Sequence, residues 1–113
     1  MVIDYKQRGL IDKNVVFNCQ THITDWLTAN KEPNEELIRD VAAAGFKSIS
    51  VGVETFTDRI ISSVSINKIG FKSIHARAVL DTMLASGIVP QTNVILGVPE
   101  YTVDDLLLSL IHI

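Results

Sequence analysis

Three stretches of the chain set polar or backbone-opening residues directly behind or within strand-like runs: Gln20–Thr21–His22, Gly52–Val53–Glu54–Thr55, and Ile95–Leu96–Gly97–Val98–Pro99–Glu100. Glu54 ends the run FKSISVGVE. An ionised carboxylate only accepts hydrogen bonds, so one placed there suits ribose hydroxyls or an amino group; it equally suits capping the next helix or pairing with a lysine. Gly97 lets the backbone come close to a ligand, or simply relaxes the turn ahead of Pro99. His22 stands where it could touch a substrate or serve as an ordinary loop residue. Cys19 lies within a strand-like run and reads as a small buried hydrophobe. His75 and His112 have no second histidine or carboxylate at metal-ligand spacing. Lys68 is placed to meet a carboxylate or phosphate, or to be solvated, and Trp26 and Phe56 read as packing.

The composition bounds the chemistry. The chain has 113 residues, with Lys and Arg totalling 10 against 13 Asp and Glu, for a net charge of -3, which argues against a dedicated nucleic-acid binder. A single cysteine excludes an internal disulfide framework and any cysteine-rich zinc or iron–sulfur site built by this chain alone. No apolar run approaches the ~20 residues that span a bilayer. The start, MVIDYKQRGL, is not a signal peptide, so a reducing, cytoplasmic setting is expected. The ending DDLLLSLIHI is apolar to the last residue, as a cut through a larger protein would leave it.

The elements that must position these residues alternate. Val2 to Arg8 reads as the last turns of a helix capped by Gly9. Asn14 to Ile23 is a strand whose middle, Val15–Val16–Phe17, is continuously apolar, as for a strand covered on both faces. TDWLTANKEPN is a loop or a short helical turn. Pro33 fits a first helical position, with Glu35 and Glu36 in the first turn, Leu37, Ile38, Val41 and Ala42 at helical spacing, and Gly45 closing the helix. Phe46 to Glu54 is a second strand. TFTDRIISSV is a short helix capped by Thr57 or Thr55. KSIHARAVLDTMLASG is a longer one with an apolar stripe of Ala76, Val79, Leu80, Met83 and Leu84, ending at Gly87. A third strand covers about Gln91 to Leu96, and Thr102 with Asp105 forms a capping box for a final helix. Three βα units imply an α/β fold with a parallel sheet and ligands at the carboxyl ends of the strands. The stops at Gly9, Gly45 and Gly87 form a weak internal repeat. A full eight-stranded barrel needs ~250 residues, so the chain is either a small open domain or a sector of a barrel.

The ordered set Gly52–Val53–Glu54–Thr55, Asn67–Lys68, Ser86–Gly87–Ile88, and Ile95 to Thr102 with Asp104–Asp105 resembles the radical S-adenosylmethionine superfamily, with Ala43–Ala44–Gly45 as the preceding segment. It looks most like the Fe–S oxidoreductase or cobalamin-associated branch, and the likeness covers nearly the whole chain. The resemblance implies a sector of a partial (βα)6 TIM-like barrel, about its third to fifth strands. It implies S-adenosylmethionine as cofactor. Glu54 and Thr55 would meet its ribose or methionine part, and Ile95 and Gly97 would line the adenine through backbone contacts. Glu100 joins these cofactor-binding positions, one step ahead of the family's Glu, whose place Tyr101 takes. The family's CxxxCxxC, which holds a [4Fe–4S] cluster, is absent. The resulting expectation is residues 1–113 as a single partial domain, a fragment of a radical S-adenosylmethionine Fe–S enzyme. It would be inactive alone, with no catalytic or metal-binding residue of its own and self-associating through an exposed sheet edge or apolar face. The alternative is a non-catalytic small α/β module that binds a nucleotide or a protein at the same strand ends. A βα-barrel lyase fragment ranks last, because no lysine ends a strand.

Overall fold

A computed structural model describes residues 1–63 and 70–111, so Asn67–Lys68 and His112 lie outside the described residues. The elements run α1 (Val2–Gln7), β1 (Phe17–His22), a 3-10 turn (Ile23–Trp26), α2 (Glu35–Ala44), β2 (Phe46–Glu54), α3 (Asp58–Ile61), α4 (Ser73–Ala85), β3 (Val89–Val94) and α5 (Val103–Ile111). The three strands form one parallel sheet in the order β1-β2-β3. The α/β reading therefore holds, and both outer strands are sheet edges among the described residues.

One face of the sheet carries the core. Ile49, Val51 and Val53 of β2 are buried with Ile38 of α2, and with Ala76, Val79 and Met83 of α4. Trp26 joins the same cluster, and its indole N–H donates to Thr21 Oγ1 at 2.8 Å, so an aromatic with a polar handle is buried without an orphaned donor. Phe56 is also buried there, as expected. Cys19 packs against this cluster, and desolvation pushes its thiol pKa up, which leaves it a packing residue.

Local boundaries depart from the sequence reading in instructive ways. Val15 and Val16 lie outside β1 and are exposed, and Asn18 and Gln20 alternate outward, so β1 is covered on one face only. Pro33 precedes the helix; Asn34 caps α2, its side chain accepting from Leu37 N at 3.1 Å. Thr57 stands at the N-cap of α3, yet its hydroxyl donates to the Asp105 carbonyl at 3.3 Å instead of capping. Leu84 projects outward rather than joining the α4 stripe. The third strand ends at Val94, earlier than its apolar sequence suggests, which leaves Ile95 and Leu96 in an exposed loop.

Gly45 has φ of +104°, and a Cβ there would meet Lys6 Nζ and come within 3.1 Å of the Val15 carbonyl. That open space admits the Lys6 ammonium, which donates to the Val15 carbonyl at 2.5 Å and lies 5.2 Å from the Phe17 ring centroid, tying α1 to the amino end of β1. The expected glycine stops recur after α1, α2 and α4, all in the left-handed region. The molecule is long, 52 × 26 × 22 Å, with a radius of gyration of 15.9 Å. A compact chain of this length has about 13 Å. An open sheet with helices on one face is the reason.

Candidate functional site

The carboxyl end of β2 carries the most distinctive geometry. Glu54 has φ of +74°, a left-handed backbone that costs a non-glycine residue on the order of 1 kcal/mol. The register against β3 shifts at this point, with Gly52 opposite Asn93 and Glu54 opposite Val94. The strand's last carbonyl is not wasted, because Glu54 O accepts from Ile95 N at 2.8 Å, so the tips of β2 and β3 are held side by side. A Cβ built on Gly52 would lie 2.9 Å from Glu54 Oε1. The carboxylate is therefore folded back over Gly52, and the missing side chain there makes its room.

Ile95 and Gly97 lie at the neighbouring tip, both exposed, and Gly97 has φ of +83°. The loop they begin is fastened at its far end. Arg59 of α3 donates to the Glu100 carbonyl at 2.8 Å and pairs with the Asp105 carboxylate. Asp105 Oδ2 also accepts from Thr102 N at 2.8 Å and from Thr102 Oγ1 at 2.7 Å, and Asp105 N donates back to Thr102 Oγ1 at 3.3 Å. The expected capping box is thus formed. The Thr102 hydroxyl and then its backbone N–H hold the Asp105 carboxyl below its ordinary range against an opposing push from burial, with the Arg59 hydrogen bond and charge adding smaller contributions.

Thr55 goes elsewhere. It is fully buried, its hydroxyl 3.1 Å from Ser109 Oγ of α5, and it accepts from Thr57 N at 3.2 Å. The reading of Thr55 as a direct ligand contact gives way to one in which it anchors α5 behind the strand tip. His22 is spent on the 3-10 turn: its N–H donates to Asp25 Oδ2 at 3.0 Å, and Nδ1 lies 2.6 Å from Thr24 Oγ1. Glu54, Ile95, Gly97 and Glu100 thus share one end of the sheet, with Glu54 on the strand and the others on a loop whose exit is clamped. Arg59 and Ser109 have parts here that sequence reasoning missed, while Gly52, already quoted in the strand-end stretch, gains a specific part as the space for the Glu54 carboxylate. Arg59 and Ser109 left no local signal, whereas Gly52 stood out as the one residue without a side chain in an otherwise alternating strand.

This architecture recurs among solved structures. A cobalamin-dependent S-adenosylmethionine radical enzyme, OxsB, with aqua-cobalamin bound, superposes with a TM-score of 0.74 at 20% identity, over 98% of this chain and 16% of that one. The same enzyme with aqua-cobalamin and S-adenosylmethionine bound gives 0.73 at 19% identity over the same shares. The chain therefore shares the fold of one segment of that enzyme. It spans about one sixth of that enzyme's length. No family model matches the chain, and no curated protein matches it. No helix among the described residues is long and apolar enough to cross a membrane.

Proposed function

We propose that the chain is a sector of a radical S-adenosylmethionine enzyme, supplying the strand ends that hold the adenosyl group. The observation that carries this reading is the strained, folded-back Glu54 beside the exposed Ile95–Gly97 backbone, on a fold shared with such an enzyme. Non-glycine residues in the left-handed region persist where the surroundings over-determine them, and such strain gathers at ligand clamps.

The two groups that the reading involves fit this chain unequally. The adenosyl group fits: a carboxylate accepts from ribose hydroxyls, while exposed backbone at Ile95 and Gly97 offers the flat, mixed contacts a base needs. Glu100 sets the loop's course through its Arg59-bound carbonyl, and Thr55 positions the tip from behind through Ser109. A [4Fe–4S] cluster does not fit, because it takes thiolates and the chain has one cysteine, which packs against the core. Among the described residues no three His, Cys, Asp or Glu side chains could hold a metal. S-adenosylmethionine supplies the reactive group when bound, and cleaving it is left to a cluster on other polypeptide.

Equilibrium dialysis with labelled S-adenosylmethionine tests this. Saturable retention that falls in Glu54→Gln is expected, together with no 5′-deoxyadenosine after anaerobic incubation with iron, sulfide and reductant. Retention indifferent to Glu54→Gln, or cleavage by this chain alone, contradicts the proposal.

A further inference from the structure

The face of the sheet that no helix covers among the described residues is unusual in its chemistry. Parallel sheets are generally apolar on both faces. Here the rungs across that face read Asn18, Ser48 and Val89, then Gln20, Ser50 and Gln91, then His22, Gly52 and Asn93. Asn18, Gln20, Ser48, Ser50 and Gln91, together with Cys19, line one groove of about 490 Å³. The Asn93 amide donates to Ser50 Oγ at 2.8 Å, so it shares the same face. The Glu54 carboxylate overhangs the end of this face above Gly52. Among the described residues, the side chains of Asn18, Gln20, Ser48 and Gln91 make no hydrogen bond to protein.

Whatever covers such a face must return hydrogen bonds to it, because buried amides without partners oppose burial. The leucines of a second copy or of an amphipathic helix cannot do so. Among the described residues no lysine or arginine lines the groove, so a phosphate or carboxylate finds no counter-charge there. Carboxamides instead match groups that present a donor and an acceptor side by side, since each offers both.

We propose that this face binds a neutral ligand with adjacent donors and acceptors, laid along the Gln20–Ser50–Gln91 rung. A nucleobase edge and a sugar's vicinal hydroxyls share that chemistry. The proposal rests on reading this face as the inner side of a radical S-adenosylmethionine enzyme, and it names the class of substrate held beneath Glu54: polar and uncharged.

The test follows the side-chain NH2 resonances of Asn18, Gln20, Gln91 and Asn93 in the full 113-residue chain. The probes are uridine, glucose and inorganic phosphate, added separately. Saturable shifts at Gln20 and Gln91 with uridine or glucose, and none with phosphate, are expected; which neutral probe acts tells base from sugar. Gln91→Leu should weaken that binding about tenfold. If Gln91→Leu loses its dispersed amide spectrum, the smaller change Ser50→Ala replaces it, with weakened binding again expected. No shift with either neutral probe, an equal response to phosphate, or unchanged affinity in a folded variant overturns the proposal. S-adenosylmethionine added to the same sample separates the two readings. Backbone shifts at Glu54 and Gly97 without any neutral-probe response remove only this inference. Neutral-probe shifts without an S-adenosylmethionine response remove the adenosyl reading and leave the groove as a binding site.

Discussion

At the scale of single residues, Glu54 sets function against stability. Its left-handed backbone is a conformation that glycine adopts freely, so Glu54→Gly should raise stability by roughly 1 kcal/mol while abolishing adenosyl binding. Thermal unfolding and dialysis on the same variant check both halves; a variant that is less stable would show that the carboxylate holds the fold instead. Gly52→Ala makes the complementary test. Gly52 has no positive φ, and the atom its new Cβ meets is the far end of a flexible side chain. The fold should therefore survive while the displaced carboxylate binds more weakly, which a stability measurement and a binding measurement together distinguish. Glu54 was legible in the sequence as a carboxylate closing an alternating strand. Its backbone strain was not, because φ is decided by the neighbouring strand's register, which no local pattern records. Thr55 was misplaced for a related reason. A hydroxyl at a strand tip looks available until Ser109, more than fifty residues later, is brought against it.

At the scale of elements, α5 is attached by polar contacts more than by its leucines. Ser109 Oγ accepts from Phe56 N at 3.3 Å, so Thr55, Ser109 and the backbone after β2 form one buried cluster. Removing one member leaves others unpaired: Ser109→Ala should cost about 1–3 kcal/mol in chemical denaturation. A cost near zero would mean that α5 does not dock as described. The Asp105 box adds a pH dependence with a definite sign. Its folded pKa lies below the ordinary aspartate value of 3.8, so its contribution is full above that value. The contribution is lost as pH falls through the lowered folded value. Asp105→Asn should flatten the stability profile below about pH 4, where acid unfolding of the parent chain should steepen. Identical acid limbs for both proteins would contradict this assignment. The capping box itself was readable, since Thr102 and Asp105 sit at capping-box spacing just ahead of an apolar run. Arg59 was not, because its two partners, the Glu100 carbonyl in the loop and the Asp105 carboxylate of α5, lie more than forty residues away. The strand bounds of β1 and β3 were misread where apolar residues continue into exposed loops, a pattern that hydrophobicity alone cannot separate from a covered strand.

At the scale of the whole molecule, the sheet ends in two open edges among the described residues, and α5 presents Leu107, Leu108, Leu110 and Ile111 outward. Open edges and contiguous apolar surface favour association. Light scattering should therefore show oligomers whose population grows with concentration, and Leu107→Lys with Ile111→Lys should reduce it. A concentration-independent monomer would contradict this. The α/β order was legible because each helix stop at Gly9, Gly45 and Gly87 announces the next strand or loop. The one-sided covering was not foreseen, although Asn18, Gln20, Ser48, Ser50, Gln91 and Asn93 had marked that face as polar in the alternation of all three strands. The central claim, that the tips of β2 and β3 together cradle an adenosyl group, is tested most directly by titrating the isotope-labelled chain with S-adenosylmethionine and following backbone amides. Saturable shifts centred on Glu54, Ile95 and Gly97, and lost in Glu54→Gln, are the predicted result. Shifts confined to the opposite end of the sheet, or none at all, would contradict the account.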